Sequence, residues 1–133
     1  MKNAKLFLIT ASIILAVTTG AEAGPRENII AAFTAQGAGA PNPANGEKMF
    51  NTNYATGKPD TPGCTTCHGK DPRRGGETRT GKPIDPMAVS ITPDRYTDPE
   101  KVDKWFLRNC QGVIGRECTA QEKVDFISFM MTQ

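Results

Sequence analysis

Four segments of the chain carry apolar residues at the spacing of an α-helix, which has about 3.6 residues per turn. The first two predicted helices cover residues 24–36, where Phe33 lies on the apolar face, and residues 44–54, where Asn45 is the predicted N-cap. No segment shows the strict alternation of apolar and polar residues that predicts a β-strand. The pattern therefore indicates an all-α chain.

The two predicted helices nearest the C-terminus have the clearest start signals. One covers residues 97–110, with Thr97 or Asp98 as its N-cap and a proline in its first turn. The other covers residues 119–131, where a glutamate three residues after Thr119 is placed to complete a capping box. These signals are local, so both helices are predicted without reference to the rest of the chain.

A long irregular stretch separates these two helices from the first two. From Ala55 to Pro99, proline and glycine recur every few residues, with little periodicity of either kind. A loop of this length is unusual in a compact domain unless it wraps a ligand. We therefore expect long loops that enclose a large cofactor.

The N-terminal residues have the pattern of a secretory signal. Two lysines precede an apolar core at residues 6–17, and Ala21 and Ala23 form an A-x-A cleavage site. The apolar core is shorter than the roughly 20 residues that span a membrane. We therefore predict a signal peptide at residues 1–23 and one exported domain at residues 24–133, located in a periplasm without stable membrane insertion.

The exported domain has almost no net charge. It keeps 14 lysines and arginines and 13 aspartates and glutamates, because the signal removes two lysines and one glutamate from totals of 16 and 14. Nucleic-acid-binding domains usually carry a concentrated basic face. The near balance therefore gives no reason to expect nucleic acid as a partner.

The segment Cys64-Thr65-Thr66-Cys67-His68 is the attachment signature of c-type haem. Two thiols separated by two residues can each add to a vinyl group on one side of a porphyrin, and the adjacent histidine is then held beneath the iron. His68 is the only histidine in the chain. We therefore predict one covalently bound haem c with one histidine ligand, which excludes a bis-histidine haem.

Two other uses of the cysteines compete with this prediction. A zinc site would combine Cys64 and Cys67 with Cys110 and Cys118, or with His68. A thioredoxin-like redox pair would use Cys64 and Cys67 alone, but it needs a βαβ context that the pattern lacks. Haem is favoured because the one histidine of the chain occupies the haem position.

The ligand on the other side of the iron has two candidates. Met87, in the irregular stretch, either provides a thioether to the iron or packs on the porphyrin face. Asn109 continues a helical stripe formed by Val102, Trp105 and Phe106, whose apolar side chains are predicted to face the haem. A buried amide without a partner costs about 1–3 kcal/mol. Its partner is therefore the iron, a backbone group, a haem propionate or the helix terminus.

Three stretches together resemble the SHP family (sphaeroides haem protein), oxygen-binding monohaem cytochromes c: "CTTCHG", "TDPEKVDKWFLRNC" and "QGVIGREC". The resemblance extends over the whole exported domain, including the opening "RENIIAAF". It implies a small class I-like cytochrome c fold with long haem-wrapping loops. It also implies Asn109 as the axial ligand of ferric iron, with Met87 as the runner-up, and a disulfide between Cys110 and Cys118.

The resemblance carries a mechanism with it. An amide oxygen is a hard, weak-field donor that suits ferric better than ferrous iron, so Asn109 should leave on reduction and open the iron to O₂, NO or CO. The family also implies electron exchange with a dihaem cytochrome c. Two alternatives remain open: an ordinary electron-transfer cytochrome with His68 and Met87 as ligands, and an enzyme that oxidises NO.

Polar side chains in the loops have no assigned role at this stage. Four basic residues crowd the loop after the haem motif, either as a solvated surface or as donors to haem propionates and an acidic redox partner: Arg73, Arg74, Arg79 and Lys82. Tyr54 and Tyr96 carry hydroxyls that could also bond a propionate. Sequence spacing does not show which of these six side chains bonds a propionate.

Overall fold

The computed structural model describes residues 23–133, and residues 1–22, which hold most of the predicted signal peptide, lie outside the described part. Helices dominate the described chain: α1 Pro25–Ala35, α2 Pro43–Asn51, α3 Thr65–His68, α4 Pro99–Val113 and α5 Ala120–Met131. Two strands of two residues each, β1 Gly76–Glu77 and β2 Pro83–Ile84, pair antiparallel in the segment between α3 and α4. The predicted all-α fold is confirmed. Within residues 23–133 no helix has the length and apolar character needed to cross a membrane.

The last two helices begin where their local signals predict. The Asp98 side chain accepts a hydrogen bond from the backbone N–H of Lys101 at 3.2 Å and caps α4. At the start of α5 the backbone N–H of Glu122 donates to Thr119 Oγ1 at 3.2 Å, and the Thr119 N–H donates to the Glu122 carboxylate at 2.8 Å. This reciprocal pair is the predicted capping box.

The start of α2 differs from the prediction. Asn42, not Asn45, is the N-cap, and its side chain accepts hydrogen bonds from the backbone N–H groups of Ala44 and Asn45. Pro43 explains the difference, because proline is favoured at the first helical position and has no N–H to satisfy there. The predicted Asn45 cap is therefore wrong by one turn, and the helix ends at Asn51 rather than at residue 54.

An aromatic cluster joins the four long helices into one core. The Phe106 ring lies edge-on to Phe33 at 6.4 Å and to Phe126 at 5.7 Å between centroids. Phe50 contacts Phe126 at 6.4 Å and Phe129 at 5.9 Å. Such pairs contribute about 0.5–1.5 kcal/mol each beyond the apolar area that they bury. The cluster therefore fixes α4 against α1, α2 and α5.

Helices α2 and α5 cross with their backbones in contact. A Cβ added at Gly46 would overlap the carbonyl oxygen of Asp125, so only glycine fits at this crossing. The Asp125 side chain is 4% exposed and accepts hydrogen bonds from Asn42 N at 2.7 Å, Asn45 Nδ2 at 3.3 Å and Gln121 Nε2 at 2.7 Å. These three donors satisfy a carboxylate that would otherwise be costly to bury.

The loop after α2 is fixed to the turn between α4 and α5. Thr56 Oγ1 donates to the carbonyl of Ile114 at 2.5 Å, and the N–H of Lys58 donates to the carbonyl of Gly112 at 2.7 Å. Gly115 has a φ of 81°, and a Cβ there would also overlap the carbonyl oxygen of Thr56. Glycine is needed at this turn for both reasons.

Candidate functional site

The two cysteines and the histidine of the haem motif lie on one helical turn. Cys64 precedes α3, and the backbone N–H groups of Cys67 and His68 donate to the Cys64 carbonyl at 3.3 and 3.1 Å. Both cysteines are free thiols and are half-buried. Residues three apart on a helical turn point to the same side. The turn therefore presents two thiols to one edge of a planar group and places the imidazole next to them.

Strand β1 crosses directly behind this turn. A Cβ added at Gly76 would overlap the carbonyl oxygen of Cys67 and lie 2.9 Å from the Cα of His68. Gly69, with a φ of 69°, ends α3 immediately after the histidine. The motif is thus supported from behind by backbone rather than by a flexible side chain.

Burial sets the protonation of the motif. It lowers the pKa of His68 to about 4, and the positive charge of Arg95 acts in the same direction. Burial also raises the pKa of the Cys64 thiol to about 11. At neutral pH the imidazole is therefore neutral, which is the form that binds a metal.

The other two cysteines are used elsewhere. Cys110 and Cys118 form a disulfide with a Cα–Cα distance of 5.6 Å, which ties the C-terminal turn of α4 to the start of α5. In residues 23–133 no three His, Cys, Asp or Glu side chains come together as they would around a metal ion. The described arrangement therefore does not fit the alternative four-cysteine zinc site, and strands of two residues do not supply a thioredoxin-like βαβ unit.

The predicted stripe of α4 divides into two faces. Val102 and Phe106 are buried in the core together with Cys110, which completes the spacing i, i+4, i+8. Trp105 is 50% exposed, and Asn109, one turn later, is exposed as well. The polypeptide core therefore covers only part of the predicted stripe, and the expectation that Val102, Trp105 and Phe106 face the haem stays a prediction. Trp105 and Asn109 form a separate face that the polypeptide does not cover.

The Asn109 side chain has no hydrogen-bond partner within residues 23–133. It does not cap its helix, because the C-cap is Ile114, whose N–H donates to the carbonyl of Cys110. A backbone partner and a helix-terminal role, two of the ordinary uses of this amide, are therefore not observed. The amide oxygen of Asn109 is therefore free to donate an electron pair to a metal ion.

Met87 has a different environment. It is 9% exposed and belongs to the hydrophobic core. Its backbone N–H and that of Ala88 both donate to the carbonyl of Pro72 at 2.9 Å, and the N–H of Val89 donates to Met130 at 3.1 Å. Met87 therefore sits in a loop segment held at several points, with its side chain packed among apolar neighbours.

The four basic residues after the motif are exposed: Arg73, Arg74, Arg79 and Lys82. Arg74 lies 3.7 Å from Asp71, and Arg79 forms an ion pair with Asp60. Arg74 and Arg79 therefore match the first of the two alternatives, a solvated surface. Exposed ion pairs of this kind contribute little to stability.

A second group of donors lies on the loop before α4. Arg95 Nε donates to the backbone carbonyl of Pro86 at 3.1 Å, and its Nη2 donates to the backbone carbonyl of Asp85 at 2.6 Å. Arg26 Nε donates to the Arg95 carbonyl at 2.8 Å across 69 residues of sequence. Tyr96 has a φ of 61°, and its hydroxyl oxygen is buried without a partner in the described residues. Sequence reasoning missed both arginines, because no local pattern joins positions so far apart.

Comparison with known proteins gives three consistent results. A family model described as "Domain of unknown function (DUF1924)" matches residues 36–130. Cytochrome c-type protein SHP of Cereibacter sphaeroides is 47% identical over 128 residues, which are 96% of this chain and 98% of that protein. Cytochrome c'' of Methylophilus methylotrophus is 33% identical over 95 residues, which are 71% of this chain and 66% of that protein.

Solved structures give the same picture. The structure of oxidized SHP, an oxygen binding cytochrome c, superposes with a TM-score of 0.79 at 46% identity and covers 85% of this chain and 100% of its own. Oxidized cytochrome c'' of Methylophilus methylotrophus superposes with a TM-score of 0.70 at 28% identity and covers 82% of this chain and 94% of its own.

Proposed function

The chain belongs to the SHP family of c-type cytochromes, and on this basis we propose that it is an exported monohaem cytochrome that binds a diatomic gas when reduced. The observation that carries the proposal is how the four cysteines are used. Two are free thiols on one turn beside the only histidine, and two are joined in a disulfide beside an unbonded asparagine. The first pair is thus free to attach a haem, and the second pair is a structural bridge.

The residues of the motif fit one covalently bound haem c. When bound, haem c supplies an iron that changes between ferric and ferrous and accepts small gases at an open axial position. Cys64 and Cys67 provide the thioether links, and their helical spacing directs both thiols to one edge of the porphyrin. His68 is the proximal ligand, and its burial keeps the imidazole in the neutral, metal-binding form.

Asn109 is proposed as the second axial ligand of the oxidised protein. Its amide oxygen is a hard neutral donor, which favours ferric over ferrous iron, and nothing else in the described residues holds the side chain. Asn109 would hold ferric iron more strongly than ferrous iron, and its amide would also supply an N–H donor beside a bound gas. The Cys110–Cys118 bridge holds the helix end that carries Asn109, so this side chain would stay near the iron in both oxidation states.

Met87 is the alternative ligand and would make this an ordinary electron-transfer cytochrome. Its thioether is packed in the core and its loop is hydrogen-bonded to Pro72, which favours a packing role. For the reductant we propose a dihaem cytochrome c or similar redox partner in the periplasm. Catalytic oxidation of NO would require the same partner to return electrons after each turnover.

Binding of CO to the reduced protein tests this proposal. We expect the ferrous holoprotein to bind CO fully and rapidly, and Met87→Leu, which keeps the side-chain volume, to behave in the same way. A methionine-ligated ferrous protein would bind CO slowly or not at all, and Met87→Leu would then bind it readily. That second pattern would contradict the proposal.

A further inference from the structure

Trp105 and Asn109 lie one helical turn apart on the same face of α4. Residues four apart on an α-helix have Cβ atoms about 5–6 Å from each other. This face lies outside the core formed by residues 23–133: Trp105 is 50% exposed and Asn109 is exposed, whereas Val102 and Phe106 are buried. The helix face that carries the proposed iron ligand therefore also carries one large aromatic side chain.

The direction of helical side chains brings the Trp105 and Asn109 side chains close together. Every Cα–Cβ bond in an α-helix tilts toward the N-terminus, so a residue covers the surface over the turn that precedes it. Asn109 therefore leans over the turn that carries Trp105. A metal ion bound by the Asn109 amide oxygen would lie above that turn, with the indole of Trp105 as its neighbour.

Two basic side chains hold the indole of Trp105 in place. Lys104 Nζ lies 5.8 Å and Arg108 Cζ lies 5.3 Å from the centroid of the ring. Cations at this distance are attracted to the face of an indole. Neither cation forms an ion pair with a carboxylate of residues 23–133, so no such pair competes with the ring for them. The indole is therefore held on α4 by its own helical neighbours.

We propose that Trp105 is a specificity-determining residue of the gas-binding site. Its indole, held by Lys104 and Arg108, forms a wall beside the axial position that Asn109 occupies in the oxidised protein, and this wall limits the size of the ligand that binds there. The inference rests on the proposed function, because it takes Asn109 as the displaceable ligand. A diatomic molecule is small enough to bind beside the indole, whereas a ligand with a branched carbon next to its coordinating group would have to displace the ring.

The test compares the affinity of the ferrous holoprotein for CO with its affinity for tert-butyl isocyanide, a bulky ligand that also binds iron through carbon. Trp105→Ala should raise the affinity for the isocyanide relative to CO by roughly tenfold or more, because it removes a steric overlap. Trp105→Phe, with a smaller ring, should give an intermediate ratio. Leu107→Ala is the control: Leu107 is also an exposed apolar residue, at 44%, but it lies about 200° around the helix from Trp105, so the ratio should not change.

A spectroscopic readout follows the indole itself. Trp105 is the only tryptophan of the chain, so the indole bands of ultraviolet resonance Raman spectra belong to it alone. These bands should change when tert-butyl isocyanide binds, because the ring must move, and replacing Lys104 and Arg108 with glutamine should raise the isocyanide ratio by less than Trp105→Ala does. An unchanged ratio in Trp105→Ala, or indole bands that do not respond to the isocyanide, would overturn the inference. Failure of the proposed function is distinct, since it would appear in the unmodified protein as ferrous iron that binds CO only after Met87→Leu.

Discussion

Replacing Gly76 with alanine tests how closely β1 supports the haem motif. The new Cβ would overlap the carbonyl oxygen of Cys67 and stand 2.9 Å from the Cα of His68, whereas non-bonded carbons pack at about 3.5–4.0 Å. The His68 contact alone requires strand and motif to separate by about 0.6 Å, and the tighter overlap with the carbonyl oxygen of Cys67 requires more. Gly76 has no positive φ, so alanine adds no backbone strain of its own. Such overpacking costs about 1–3 kcal/mol.

Two assays should report the change. Thermal unfolding of the holoprotein should show a Tm lowered by roughly 4 °C or more, since each kcal/mol shifts the Tm of a domain this small by about 4–8 °C. The Soret maximum and midpoint potential should also shift, because His68 moves with its backbone. Gly112→Ala is the control: its Cβ meets nothing within 4 Å, and alanine in helix α4 should be neutral or stabilising by about 0.5–1 kcal/mol. If Gly76→Ala matched Gly112→Ala in both assays, the close contact between β1 and the motif would be refuted.

Three further changes have distinct expected effects. Replacing Cys110 and Cys118 with alanine should lower the free energy of unfolding, measured by denaturant titration, by about 2–3 kcal/mol, because the bridge closes a short loop with a sequence separation of 8. Asp125→Ala should cost about 2–4 kcal/mol in the same titration, because it leaves three donors without their acceptor. Hydrogen bonding from Arg116 lowers the pKa of Glu122, so Glu122→Gln should lose stability at neutral pH. Because a lowered folded-state pKa contributes stability only in the ionised range, this loss should be complete above about pH 4.3 and should vanish as pH falls through the folded-state value.

Matched control variants distinguish the effects of Asp125→Ala and Glu122→Gln from the general effect of removing an acidic side chain. Asp94→Ala and Glu117→Gln make the same two kinds of substitution at exposed acidic residues. We expect each to change the free energy of unfolding by no more than about 0.5 kcal/mol. A Glu122→Gln deficit that stayed constant down to acid pH would rule out the Arg116 interaction as its cause. Equal stability of Asp125→Ala and Asp94→Ala would show that the buried carboxylate contributes nothing.

Local signals predicted the fold well where one short stretch was sufficient. Asp98 and Thr119 cap their helices as the sequence indicates, because a cap depends only on the next three residues. The start of α2 was missed because Asn42 and Asn45 are both good caps, and only the proline at position 43 distinguishes them. The two-residue strands β1 and β2 are too short to show any periodicity.

The candidate site needed more than local pattern. The motif at Cys64 carries its own chemistry, so the haem site was predictable from five residues. Helical spacing groups Trp105 with Phe106, but it cannot show that the polypeptide buries Phe106 and leaves Trp105 exposed, two neighbours about 100° apart on the helix. The contact between Arg26 and Arg95 could not be predicted from the sequence, since the two residues meet only through the tertiary fold.

The visible absorption spectrum of the ferric holoprotein tests the central claim, that Asn109 is the displaceable ligand. We predict a high-spin spectrum for the unmodified protein, a changed ferric spectrum for Asn109→Ala and no change for Met87→Leu, because only the first variant removes the amide oxygen. A low-spin ferric spectrum with a methionine-sulfur charge-transfer band, lost in Met87→Leu and kept in Asn109→Ala, would contradict this account.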